Sequence, residues 1–250
     1  TMDLGIKGKK ALVCGASAGL GFACAQALAQ EGVEVTLVAR TAQTLELAAH
    51  TLRLESPGPI HAVCADVTLE AGRQHIWSQC GPMDILITNA GGPPNGDFRD
   101  FSREQWLAAI DANMLSPIEL IKHEVDGMMS RGFGRIINIA SGTVFKGQVG
   151  FLHYVTSKGG VVAMTRSLAR ELGGHNVIVN AIAPGLTMSE AIAENPMWSG
   201  KASQPTVMSR ALQREQEPKD LLGALVFLAS EDCGFMTGQC MVVDGGAVMR

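Results

Sequence analysis

Tyr154 and Lys158 frame the run Tyr154-Val155-Thr156-Ser157-Lys158, and Ser141 precedes it by thirteen residues. On a helix, residues four apart share one face, with Cβ atoms about 5–6 Å apart. An ammonium beside a phenol favours the phenolate and so lowers the phenol's pKa. A tyrosine tuned in this way can give or take a proton near neutral pH, which a free phenol with a pKa of about 10 does poorly. The same spacing also describes a packed ring and a solvated amine. Its meaning rests on what the rest of the chain places around it.

The 250 residues are 46% hydrophobic, enough for a sizeable core, and length alone leaves one large or two small domains open. A net charge of -4 argues against non-specific nucleic-acid binding, which needs a basic surface. No apolar run reaches the roughly 18 residues of a spanning helix, and the start of the chain has no signal-peptide pattern. Thr1 ahead of Met2 reads as a processed remnant. Cys14, Cys24, Cys64, Cys80, Cys233 and Cys240 form no C-x-x-C pair and no metal-ligand spacing with the histidines. They read as small buried hydrophobes in a reducing compartment, so no metal and a cytoplasmic protein are expected.

The elements that must position Tyr154 alternate in type. Residues 11–14 are a short apolar run, the glycine-rich residues 15–21 follow, and residues 22–31 have helical period. Strand-like segments at 34–38, 60–65, 84–88, 135–139, 176–182 and 240–244 are separated by helical segments near 41–54, 70–80, 102–129, 154–172 and 221–230. Thr41 is a candidate helix cap, and Pro117 marks a kink or break in the long helix. Strands alternating with helices of ten or more residues imply βαβ units and a parallel sheet. The expectation is one doubly wound α/β Rossmann fold of about seven parallel strands over residues 1–250, with helices on both faces. No internal repeat or linker divides it.

Gly15, Gly19 and Gly21 lie between the first strand and the first helix, where such a fold binds pyrophosphate through a tight turn and a helix N-terminus. Their order is G-x-x-x-G-x-G; without its context the same loop is also a plain βα turn. An acidic residue at the end of the second strand would bind the ribose 2′-hydroxyl of NAD, but Ala39-Arg40 stands there. Guanidinium pairs with phosphate, which favours NADP(H) and leaves NAD(H) possible. Arg40 on a solvated rim is the alternative.

Gly15-x-x-x-Gly19-x-Gly21, Asn89-Ala90-Gly91, Asn113, Ser141, Tyr154-x-x-x-Lys158, Pro184-Gly185 and Asp244-Gly245-Gly246 together resemble the short-chain dehydrogenase/reductase family in its classical branch, in order and spacing over the whole chain. That resemblance implies an NAD(P)-dependent oxidoreductase acting on CH–OH groups. Tyr154 would be general acid or base, and Lys158 would hold the nicotinamide ribose and depress the Tyr154 pKa. Ser141 would stabilise charge on the substrate oxygen, and Asn113 would hold a water linking Lys158 to solvent. It implies cofactor contacts at Gly15, Ser17, Gly19, Leu20, Gly21, Arg40, Asp66, Val67, Asn89, Ala90, Gly91, Tyr154, Lys158, Pro184, Gly185, Thr187 and Ser189. The resemblance gives His153 no proton-transfer role, reads Asp244-Gly245-Gly246 as a structural turn, and implies a homotetramer built on residues 102–129, 154–172 and the C-terminal strand. Cys14 replaces the usual threonine, and Gly92-Pro93-Pro94-Asn95-Gly96 is an unusual stiff stretch. The parts before and after Ser141 resemble different branches, as a chimera would.

A substrate lid is expected at about 186–216. Residues 142–152 and 186–208 offer Val144, Phe145, Phe151, Leu186, Met188, Ile192, Met197 and Trp198 with few fixed charges. As a set these favour a small-molecule substrate, an apolar or aromatic ketone or secondary alcohol. Lys146 and Arg210 are the candidates for holding a carboxylate or an acyl-carrier phosphopantetheine, which keeps a 3-oxoacyl thioester (acyl-carrier-protein or CoA) reductase as the alternative. A non-catalytic dinucleotide-binding sensor or scaffold is the alternative of another class. No membrane or nucleic-acid partner is expected.

Overall fold

Seven runs of apolar, often β-branched residues extend as strands because burial on both faces removes any need for polar alternation. A computed structural model describes residues 3–92 and 94–249, so Thr1, Met2, Pro93 and Arg250 lie outside the described residues. The strands are β1 (Lys10–Cys14), β2 (Glu34–Ala39), β3 (Ile60–Cys64), β4 (Ile85–Thr88), β5 (Gly134–Ile139), β6 (Val177–Pro184) and β7 (Cys240–Val243). They form one seven-stranded parallel sheet, as the sequence predicts, in the order β3-β2-β1-β4-β5-β6-β7. The order reverses between β1 and β4, and the crevice at the carboxyl ends of strands at such a reversal is where this architecture binds ligands.

Successive side chains point to opposite faces, so β1 sends Ala11 and Val13 to one core and Leu12 and Cys14 to the other. The first core packs α1 (Gly19–Gln30), α2 (Ala42–Glu55) and α10 (Leu222–Ala229) on the sheet through Leu28, Leu52 and Leu225. The second packs α3 (Glu70–Gln79), α5 (Ser116–Arg131) and α7 (Leu152–Leu172) through Ile76, Leu120 and Leu172. Thr41 occupies the first position before α2, but its side chain makes no capping hydrogen bond.

The long helix is interrupted just ahead of Pro117, by a π turn and not by a kink at the proline itself. α4 (Arg103–Ile110) runs into a π-helical turn at Asp111–Leu115 and on into α5 with no break in helical dihedrals, and Pro117, two residues past the turn, cannot donate to the carbonyl four residues back, that of Asn113 inside it. The expected lid segment after β6 has short helices of its own. It carries α8 (Glu190–Ala193) and α9 (Gln204–Met208), and its ends meet in a bridge between Thr187 and Gln216. Among the described residues no disulfide forms; Cys64 is exposed rather than buried, because β3 is an edge strand. No helix among the described residues is long and apolar enough to cross a membrane, and none of their His, Cys, Asp and Glu groups could hold a metal ion.

Candidate active site

The site residues gather at the carboxyl edge because nearly every one follows the end of a strand. Gly15 turns the chain out of β1 with φ +62°, and a Cβ there would stand 2.8 Å from Asn89 Nδ2, just past β4. Gly19 has φ +56°, and its Cβ would approach Ser189 Cβ at 3.2 Å. Gly21 is α-helical, and its Cβ would overlap the Gly15 carbonyl oxygen. Gly15 and Ser17 line a cavity of about 410 Å³ that continues past Arg40, Asp66 and Val67 to Asn89, Ala90, Gly91 and Asn113. This cradle, open only because its turns lack Cβ atoms, fits a dinucleotide. Gly19 and Gly21 sit behind the cleft wall and shape it.

Arg40 is exposed and forms no side-chain ion pair among the described residues. Across the cavity, burial raises the Asp66 pKa, but hydrogen bonds from the Thr68 hydroxyl (2.7 Å) and N–H (3.0 Å), with the Arg40 charge, outweigh it and hold the carboxyl below its ordinary value. Thr68 was not singled out from sequence, although an Asp-x-Thr turn signals this bond.

Ser141 follows β5, and Tyr154 and Lys158 lie on α7. The buried chain Thr88 Oγ1 to Asn138 Oδ1 (2.8 Å) and Asn138 Nδ2 to Thr165 Oγ1 (3.0 Å) ties β4, β5 and α7 together. Thr165 is two turns beyond Lys158, so this chain fixes which face of α7 meets the sheet. Tyr154, Lys158, Ser141, Leu20, Asn89, Ala90, Pro184, Gly185, Thr187 and Ser189 line a second cavity of about 190 Å³.

The expected depression of the Tyr154 pKa is reversed in this structure. Burial pushes the phenol above its ordinary value, and only the hydrogen bond with Ser141 opposes this. The buried Lys158 ammonium is itself pushed down to about 7 and donates to the Ile139 carbonyl at 2.6 Å. It stands 5.8 Å from the Tyr154 ring centre. No sequence pattern marks the Ile139 carbonyl as its partner.

Asn113 is 2% exposed and sits in the π-helical turn. Its Nδ2 donates to the Ala109 carbonyl at 2.9 Å, while its Oδ1 has no partner among the described residues. Single π turns inside helices occur often at functional sites, and this one places a residue with a buried, unpartnered acceptor on the wall of the first cavity.

A third cavity of about 490 Å³ shares Ser141, Tyr154, Pro184, Gly185, Thr187 and Ile192 with the second. Of the apolar residues expected around a substrate, Phe151, Leu186, Ile192, Met197 and Trp198 line it, with Phe151 and Trp198 ring centres 5.6 Å apart. Val144, Phe145 and Met188 are not part of that lining; Phe145 packs against the core. Thr143, Gln148, Asn195 and Thr206 add polar groups that sequence reasoning missed. Lys146 lines the cavity, but Arg210 does not. Arg210 is 4% exposed and donates to the Arg214 and Leu186 carbonyls at 2.7 and 2.8 Å. Asp244 holds its own turn, accepting from the N–H groups of Gly246 and Ala247 at 3.0 Å, and also borders this cavity.

Residues 15–248 match the family model described as enoyl-(acyl carrier protein) reductase. The human dehydrogenase/reductase SDR family member 4 is 33% identical over 97% of this chain and 88% of its own length. The 3-oxoacyl-(acyl-carrier-protein) reductase of Vibrio cholerae is 32% identical over 98% of this chain and 100% of its own. The crystal structure of L-sorbose reductase from Gluconobacter frateurii, complexed with NADPH and L-sorbose, superposes with a TM-score of 0.92 at 30% identity, covering 100% of both chains. All of these matches span both sides of Ser141. With this fold and these matches, the chain belongs to the short-chain dehydrogenase/reductase family, oxidoreductases that act on CH–OH groups and the corresponding carbonyls.

Proposed function

We propose that the chain is an NADP(H)-preferring carbonyl reductase or secondary-alcohol dehydrogenase whose substrate carries an apolar or aromatic group. The observation that carries this reading is the shared wall: Ser141 and Tyr154 line both the 190 Å³ and the 490 Å³ cavity, so one pair of hydroxyls faces two compartments. The NADPH in the similar L-sorbose reductase supports the cofactor, and the Phe151–Trp198 pair supports the substrate class. The glycine loop and residues 89–91 hold the dinucleotide, Arg40 its 2′-phosphate, and Asp66 and Val67 its adenine. Lys158 holds the nicotinamide ribose, and Pro184, Gly185, Thr187 and Ser189 border the nicotinamide. Residues 186–216 are the lid of a single domain.

A nicotinamide bound in this cleft would supply the hydride in reduction and accept it in oxidation. Tyr154 donates the proton to the carbonyl oxygen, or removes it from the alcohol. Ser141 donates a hydrogen bond to the same oxygen as charge develops. Asn113 holds the water through which Lys158 exchanges protons with solvent. Leu107, Leu115 and Leu152, exposed on the α4–α5 and α7 surfaces, support a homotetramer, which light scattering reads directly.

Tyr154→Phe tests the assignment. Turnover should fall by about 10²–10⁴-fold while NADPH affinity stays nearly intact; an unimpaired variant sinks it. One observation favours a second reading, a 3-oxoacyl thioester reductase: Lys146 is a cation lining the substrate cavity. Comparing rates on an aryl ketone and an acetoacetyl thioester separates the two. NADPH binding without consumption on either would instead mark a non-catalytic sensor or scaffold.

A further inference from the structure

His153 precedes Tyr154 but points elsewhere. It is 1% exposed, stacks on Phe101 with ring centres 3.9 Å apart, and lies 6.1 Å from Trp106. Its Nδ1 has no partner among the described residues. The same is true of Asn113 Oδ1, and both residues line the 410 Å³ cavity. A buried imidazole nitrogen and a buried amide oxygen left unpaired in one protein are each costly, on the order of 1–3 kcal/mol, unless something bonds them. A water between them would have an acceptor for its proton in Asn113 and a partner in either tautomer of His153.

The surroundings point outward from there. Gln105 lines the same cavity and is exposed, with its Oε1 committed to the Ser102 N–H at 2.8 Å and its amide nitrogen left to donate. Ala108, Ala109 and Ala112 form the rest of that wall. The charged groups of the cavity, Arg40 and Asp66, follow β2 and β3, across the sheet from this end. Phe101 and Trp106, which pack on the imidazole, bring no titratable group. Burial holds the His153 pKa below its ordinary value, so near neutral pH the ring is uncharged and can both accept and donate.

We infer that His153 and Asn113 together bind an ordered water and that His153 is a relay station on the proton route from the Tyr154–Lys158 pair to solvent, with Gln105 at its mouth. This rests on the oxidoreductase reading above and adds a residue to it. No covalent step is involved: a proton reaching the water passes to one imidazole nitrogen while the other releases one, so the ring ends neutral.

Two measurements test this. In a high-resolution crystal structure of the parent protein, density for a water within hydrogen-bond reach of both Asn113 Oδ1 and His153 Nδ1 is expected; direct contact of the two side chains, or a dry gap, overturns the site whatever the activity. In single-turnover oxidation of a secondary alcohol under weak buffering, proton release to an indicator dye should keep pace with reduction of the nicotinamide in the parent. His153→Phe preserves the aromatic stack and removes both nitrogens, and release should then lag by about 10-fold, a smaller effect than the ~10²–10⁴ of direct acid–base catalysis. Added imidazole should abolish the lag. His153→Gln, which keeps a polar group but loses the stack, should show less lag than His153→Phe. Release in step with hydride transfer in His153→Phe overturns the relay. A parent that oxidises no alcohol and reduces no ketone fails the functional reading instead.

Discussion

Thr143 donates its hydroxyl to Ser141 Oγ at 2.8 Å, and the Thr143 N–H reaches the same oxygen at 3.3 Å. Both acceptor positions of Ser141 are thereby filled from its own loop. The one proton that Ser141 carries is left to turn toward Tyr154, with which it shares a hydrogen bond, and toward the substrate cavity that both border. A serine that ends a strand is thus converted into a directed donor by its second neighbour.

Thr143→Val should therefore reduce kcat by about 3–10-fold, the worth of one net hydrogen bond of about 0.5–1.5 kcal/mol, with KM for NADPH unchanged. Thr143→Ser should restore the parent rate. Steady-state kinetics of ketone reduction on the three proteins decides it; equal rates for Val and Thr would show that Ser141 needs no help to orient.

Burial pushes Lys158 from 10.5 down to about 7, which makes stability depend on pH in a defined direction. Between about pH 7 and 10 the unfolded chain holds a proton that the folded chain has lost, so stability rises with pH across that window. Below about pH 7 both states are charged and the full penalty is present, on the order of 5 kcal/mol. Cys14 and Cys24, pushed up to about 12, act in the opposite sense above about pH 9, where their unfolded thiols ionise first. Urea denaturation of the parent and of Lys158→Met from pH 7 to 9 should show a gain of roughly 2 kcal/mol in the parent that the variant lacks. Parallel pH dependences would mean that Lys158 is not desolvated as the structure has it.

What the sequence carried and what it left out follow the same physics. The seven parallel strands, the glycine turn and the gathering of Ser141, Tyr154 and Lys158 were legible because each rests on a local pattern: apolar runs, a glycine where φ is positive, a four-residue helical spacing; the order of the strands in the sheet was not. The direction of the Tyr154 shift was not legible. It depends on how deeply the phenol and the ammonium are buried and on Lys158 turning to the Ile139 carbonyl, both products of packing between β5 and α7. Pro117 marked the neighbourhood of the interruption but not its form, since a π turn such as Asp111–Leu115 has no residue signature, whereas proline does. Arg210, read as a substrate cation, proved to be a structural strut, because only the fold reveals which carbonyls its guanidinium reaches.

Arg40 borders the dinucleotide cavity, forms no side-chain ion pair among the described residues, and faces a cavity where Asp66 is the other charge. Arg40→Asp should remove a charge-assisted contact to a 2′-phosphate and add a repulsion. The ratio of kcat/KM for NADPH over NADH should fall by roughly 10²-fold, since such contacts are worth about 1.5–3 kcal/mol. Equal or better use of NADH by the parent would remove Arg40 from this role.

Gly21 and Gly91 make opposite predictions from the same loop system. A Cβ on Gly21 would overlap the Gly15 carbonyl oxygen and reach to 3.0 Å of the Cys14 carbonyl, both rigid backbone, so α1 must move away from β1 to admit it. Nothing stands within 4 Å of a Cβ on Gly91, although that residue lines the cavity. Gly21→Ala should cost about 2–4 kcal/mol by denaturant unfolding and weaken NADPH binding, because moving the helix start also moves the N–H groups proposed to meet the pyrophosphate. Gly91→Ala should leave stability within about 0.5 kcal/mol, with any effect confined to cofactor affinity. If Gly21→Ala were instead neutral while Gly91→Ala unfolded the protein, the close approach of α1 to the first strand would not be what sets the shape of the cleft.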